Sequence, residues 1–63
     1  MFRLGKHYDV FLCEPRPGGY GETQHFDWQV LEVGMPNVKF RTSKDEIILN
    51  ASSPLFVKAI LKD

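Results

Sequence analysis

Cysteine is nearly missing from this chain: Cys13 is the only one in 63 residues. An intramolecular disulfide is therefore excluded, and with it the staple that holds many domains of this size. Charge of one sign is missing as well. Eight Lys and Arg stand against eight Asp and Glu, a formal net charge of zero with histidine neutral. That balance excludes a strongly basic, histone-like protein. Long hydrophobic runs are also absent. The longest, such as Val10-Phe11-Leu12-Cys13, fall far short of the roughly 20 apolar residues a membrane-spanning helix needs. Met1-Phe2-Arg3-Leu4-Gly5-Lys6 contains no signal-peptide core, so a cytoplasmic location is expected, consistent with a lone thiol kept reduced. One Cys and two His at no recognised spacing make a poor zinc set, so neither a metal nor another cofactor is expected.

What the chain does have is aromatic and turn-forming residues. Hydrophobic residues make up 43% and charged residues 25%, a globular composition that fits one domain over residues 1–63. Aromatics supply 13%, enough to build the core of a small domain that has no staple. Short apolar segments alternate with clusters of Gly, Pro, Asn, Asp and Ser, the pattern of an all-β chain. In Tyr8-Asp9-Val10-Phe11-Leu12-Cys13 the residues Tyr8, Val10 and Leu12 share a face. Residues 14–21 hold two prolines and three glycines, which predicts a long exposed loop.

Residues 24–33 read as a long strand. Phe26, Trp28 and Val30 share one parity, after which Leu31 and Val33 carry the apolar character on the other. Such a switch predicts a bulge or sharp bend that lets a small sheet curl. Gly34-Met35-Pro36-Asn37 predicts a turn. Val38 and Phe40 alternate with Lys39 and Arg41 as in a half-buried strand, and Glu46-Ile47-Ile48-Leu49 makes a fourth. Pro54 suits the start of a single helical turn, with a last short strand over residues 58–62; a helix over residues 53–62 is the rival reading.

Five short strands, a long first loop, tight middle turns and a helical turn before the last strand resemble an SH3-like barrel. Ser52-Ser53-Pro54-Leu55-Phe56-Val57 is similar to the segment before the last strand of SH3 domains. Phe56 stands where that family has Tyr, Leu55 where it has Asn, and Pro54 is displaced by one. The resemblance implies a small five-stranded antiparallel barrel. It also implies an aromatic groove for a protein or peptide partner, approximated by Tyr8, Tyr20, Trp28, Pro54 and Phe56. The aromatic and Pro/Gly supply of the chain itself points to a contact surface made by Tyr20, Trp28 and the loop from Glu14 to Gly21, Arg16 included.

The residues themselves offer competing uses. Core packing is the simpler role for Phe26, Trp28, Phe40 and Phe56, whereas Tyr20, set between glycines, is the aromatic least easily placed in a core. His25 and Asp27 sit two apart, hence on one strand face, where an imidazole oriented by an acid can act as a base. No nucleophile motif or third metal ligand accompanies them, and an exposed polar face opposite Phe26 and Trp28 is the simpler reading. Cys13 reads as a small apolar filler.

Charge is unevenly spread. Residues 9–32 hold five acids against Arg16 alone, a net of −4, and residues 33–62 carry a net of +3. Copies can then dock acid to base, or Lys39, Arg41 and Lys44 can meet a nucleic acid, which a neutral chain would bind weakly. Gly18-Gly19-Tyr20-Gly21 lacks the Lys and Ser/Thr of a phosphate loop, so catalysis is not expected. The expectation is a protein-binding or self-assembling module, with nucleic-acid binding as the alternative.

Overall fold

The computed structural model describes residues 2–62. Five strands form one antiparallel sheet: β1 (His7–Arg16), β2 (Gly19–Gly34), β3 (Asn37–Arg41), β4 (Glu46–Asn50) and β5 (Phe56–Leu61). Their order is β4-β3-β2-β1-β5. The all-β, five-stranded antiparallel expectation therefore holds. β4 and β5 are the edges, and no ladder joins them, so the sheet is open among the described residues. No described residue is helical. Before β5 the chain makes two turns, with the Ser53 N–H donating to the Asn50 carbonyl and the Phe56 N–H to that of Ser53, each at 3.0 Å.

The expected loop over residues 14–21 is instead the far end of a hairpin. Arg16 pairs with Gly19, leaving only Pro17 and Gly18 in the turn. Proline fixes φ at the first position and Gly18 takes φ +88° at the second, as a type II turn requires. Pro15 is tolerated because of where it falls. It lies opposite Tyr20, one pair from the closing pair, where a peptide nitrogen faces away from the partner strand. β5 has ended its pairing with β1 at Leu12, so the missing N–H leaves no ladder bond unmade.

β2 bends twice. Val30 pairs with Phe40 but Glu32 with Lys39, which puts a bulge at Leu31, where the parity switch predicts one. A second bulge is not announced by the hydrophobic pattern. Tyr8 pairs with Trp28, whereas Val10 pairs with His25, so Phe26 and Asp27 together oppose Asp9. Asp27 adopts φ +56°, and its N–H donates to Asp9 Oδ1 at 3.2 Å. Before this bulge Thr23 and His25 face inward; after it Trp28 and Val30 do. Phe26 is thereby turned out of the core and is 62% exposed, which corrects its expected packing.

The concave face carries the core: Tyr8 and Val10 from β1, Trp28 and Val30 from β2, Val38 and Phe40 from β3. Ile47 and Leu49 of β4 and Phe56 and Ala59 of β5 pack against that same cluster. Phe2, outside every strand, makes edge contacts with Tyr8, Phe40 and Phe56 at ring separations of 5.1, 5.6 and 6.1 Å. Backbone bonds from Gly5 to Val30 (2.8 Å) and from Val30 to Lys6 (2.9 Å) hold this N-terminal segment along β2.

Candidate functional site

Where the β1–β2 hairpin projects past the end of β5, it faces the C-terminal end of β4 across a cleft of about 370 Å³. Leu12, Glu14 and Pro15 line it from β1, Leu49 and Asn50 from β4, and Ser53, Leu55 and Phe56 from the turn and the start of β5. The cleft is mainly apolar, with Leu55 exposed and Phe56 half-buried. The Cys13 N–H donates to the Leu55 carbonyl at 2.7 Å and ties the turn to β1.

Glu14 is the charged group of the cleft, and alternation along the hairpin explains its company. Antiparallel pairing places Glu14 opposite Gly21 and Leu12 opposite Thr23, so Glu14, Thr23 and His25 lie near one another on the concave face. His25 Nε2 lies 3.0 Å from Glu14 Oε1, and the imidazole stacks on Trp28 at 4.6 Å and 27° between planes. Arg16 folds back over Gly21, donating to the Glu22 carbonyl at 2.7 Å and to Thr23 Oγ1 at 3.0 Å. The His25 hydrogen bond, then that of Thr23, holds the Glu14 carboxyl below its usual range, helped by the charges of His25 and Arg16. Partial burial pulls the other way and is outweighed. The cleft thus joins an apolar floor to a positioned, ionised carboxylate, the equipment for an extended segment carrying apolar side chains and a cation.

The residues singled out from the sequence fall in different places. Tyr8 and Trp28 are in the core, Tyr8 with its hydroxyl accepting the Arg3 N–H at 2.9 Å. Phe56 lines the cleft, and Pro54 is exposed in the turn beside it. Tyr20 is 67% exposed at the hairpin end, opposite Pro15, and Arg16 is held against the hairpin's own backbone. His25 and Asp27 do not share a face, because the bulge between them turns Asp27 outward; the acid beside His25 is Glu14. Cys13 is half-buried and contributes to the lining of the cleft.

The basic residues are largely engaged within the chain. Lys39 and Arg41 both reach Glu46, at 3.4 and 3.6 Å. Lys62 pairs with the buried Asp9 at 3.4 Å, and Lys58 lies over the Phe11 ring at 4.8 Å. Lys44 sits in the β3–β4 turn, where Thr42 Oγ1 accepts its backbone N–H and that of Asp45. Among the described residues no three His, Cys, Asp or Glu side chains converge as metal ligands would.

Leu12, Leu49 and Leu55 are the cleft residues that sequence reasoning missed, whereas Glu14 opens the expected contact loop. For Glu14 the signal is the dipeptide Pro17-Gly18 read as a two-residue turn, which pairs Arg16 with Gly19 and sets Glu14 near Thr23. The leucines meet only through the packing of β1, β4 and the turn before β5. Comparison with protein-family models, with curated proteins and with solved structures finds no match for this chain.

Proposed function

We propose that this chain is a small, non-catalytic protein-binding or self-assembling module whose ligand-binding surface is the cleft between the β1–β2 hairpin and the turn before β5. The carrying observation is the pairing of an apolar floor (Leu12, Leu49, Leu55, Phe56) with a carboxylate already positioned by His25 and Thr23. The expected occupant is an extended segment of a partner protein, its apolar side chains on the floor and a basic residue toward Glu14.

Barrel-like curling of an SH3-like kind is the architecture proposed behind this site. Supporting it are the strand order, the two bulges in β2, and the packing of both edge strands against one core cluster. The paired turns over residues 50–56 take the place that a helical turn has in the resemblance. Self-docking of basic on acidic surface remains the other half of this reading, and the basic residues bound internally to Glu46 and Asp9 speak against a nucleic-acid surface.

The test is selection of peptides from a random displayed library on the immobilised protein, followed by amide chemical-shift mapping. Enriched sequences should carry apolar residues and a Lys or Arg, shifting the amides of Leu12, Glu14, Asn50 and Leu55. Leu55→Ala should lower affinity roughly tenfold, as loss of a contact worth about 1.4 kcal/mol would. Shifts confined to Tyr20 and its neighbours, or no enrichment at all, would refute the cleft.

A further inference from the structure

We propose that β4 is a self-pairing edge: two copies of this chain join by antiparallel addition of β4 to β4 about a two-fold axis at Ile48. This deepens the self-assembling half of the reading above and makes no use of the cleft's ligand. Three observations carry it.

The first is which backbone groups face outward. The Ala51 N–H donates to the Pro36 carbonyl at 2.8 Å, so the odd-numbered peptide groups of this segment turn toward β3. Alternation then turns those of Glu46, Ile48 and Asn50 away from the sheet, where, among the described residues, no further strand pairs with β4. No proline interrupts β4, whereas Pro15 removes a donor from the free edge of the hairpin. The Ile48 N–H and C=O are open to a partner strand.

The second is the side-chain pattern. Glu-Ile-Ile-Leu-Asn reads the same in character from either end, polar at both termini and apolar between. Ile48, on the convex face, is 67% exposed, while Ile47 and Leu49 are half-buried on the concave face. Outward-facing groups at even positions permit only registers in which the paired residue numbers sum to an even value. Centring on Ile48 sets Ile48 against its own copy, Ile47 against Leu49, and Glu46 against Asn50. The Ile48 peptide groups exchange bonds, and each Asn50 N–H reaches the facing Glu46 carbonyl. Every apolar side chain of the strand meets an apolar one.

Charge supplies the third observation and selects a second copy over the other free edge. No like charges are opposed in the β4 pairing, since Glu46 faces an amide and is already neutralised by Lys39 and Arg41. On β5 the Lys62 N–H bonds to His7, so Leu61 and Ala59 face outward, as far as the register shift at Val57. Self-pairing there about Ala59 would set Lys58 against Ile60, a charge on an apolar group.

A five-residue edge buries little area, so the dimer is expected to be weak and concentration-dependent. The experiment is the solution mass by light scattering and sedimentation, from about 10 µM to about 1 mM, the range that small interfaces require. The mass should rise from 7.3 kDa toward twice that value. Ile48→Lys, which opposes two charges at the axis, should raise the dissociation constant at least roughly tenfold. Ile48→Pro should do the same while sparing the monomer, because the deleted N–H faces away from β3. Ile60→Lys on β5 and Leu55→Ala in the cleft should leave the mass curve unchanged. Amide spectra establish that each variant is folded; if Ile48→Pro is not, Ile48→Lys decides. A wild-type mass constant at 7.3 kDa overturns the proposal. So does a dimer that survives Ile48→Lys, one that dissolves with Ile60→Lys, or assembly beyond two copies. None of these results bears on peptide capture by the cleft, which Leu55→Ala reads separately.

Discussion

Asp27 shows how much one residue's backbone can decide. A side chain at φ +56° is disfavoured for any residue but glycine, least so for Asp and Asn. Here the strain is offset by the bond from its N–H to Asp9 Oδ1, at a position where Asp9 also holds Lys62. Asp27→Val should therefore destabilise the protein by about 1–2 kcal/mol in urea unfolding, while Asp27→Gly should be neutral or slightly stabilising. Equal effects of the two would mean the left-handed backbone is not what matters. His25 is the second such residue, since it stacks on Trp28 and bonds to Glu14 at once. Because Glu14 is lowered in the folded protein, its contribution to stability is complete above its unfolded pKa and is lost as the pH falls through the folded value. Glu14→Gln should flatten that acid limb of the stability profile; an unchanged limb would remove Glu14 from the account.

At the scale of the element, the β1–β2 hairpin is governed by its prolines. Pro17 with Gly18 makes the turn, and Pro15 strips the outward donor from an edge that β5 no longer covers. Restoring the donor with Pro15→Val should leave the fold intact and add association that Ile48→Lys does not suppress, measurable by light scattering. Gly21 is constrained differently. A Cβ there would lie 2.7 Å from Arg16 Cδ, and that side chain is long and flexible, so it can swing aside. Gly21→Ala is expected to cost under about 1 kcal/mol and to release Arg16 from Thr23 and the Glu22 carbonyl. The Pro and Gly content of the hairpin suits a loop as well as a tight turn, so composition alone does not tell the two apart. What separates the two is whether an unpaired flank exists for Pro15, and that depends on where β5 stops.

For the whole molecule the question is what closes an open sheet of only five strands. Phe2 answers it in part, since it touches rings from β1, β3 and β5 at one end of the core. Phe2→Ala should cost about 2 kcal/mol, a fall of roughly 8–16 °C in melting temperature for a domain this small. Leu4→Ala, two residues on and exposed, should change stability by less than about 0.5 kcal/mol. Phe40, fully buried at the centre of the cluster, leaves no such margin. Phe40→Ala at about 3–5 kcal/mol takes a large share of the stability available to a small domain, and should leave it largely unfolded at 37 °C by circular dichroism.

Local pattern and covalent geometry were enough for part of this protein. Period-two alternation marked Tyr8, Val10, Val38 and Phe40 as inward-facing, and the parity switch after Val30 marked the bulge at Leu31. Both are legible because side-chain direction along a strand depends on near neighbours alone. The bulge at Phe26 and Asp27 left no such trace, because it reverses the inward face where the inward residues, Thr23 and His25, are polar. Phe26 then looked like core by parity with Trp28 and lies outside it. The meeting of Glu14 with His25, the cleft between hairpin and turn, and the free edge of β4 belong to tertiary structure. Each depends on register between strands and on how far each strand runs, quantities set by the packing of the whole sheet and not by any window of sequence.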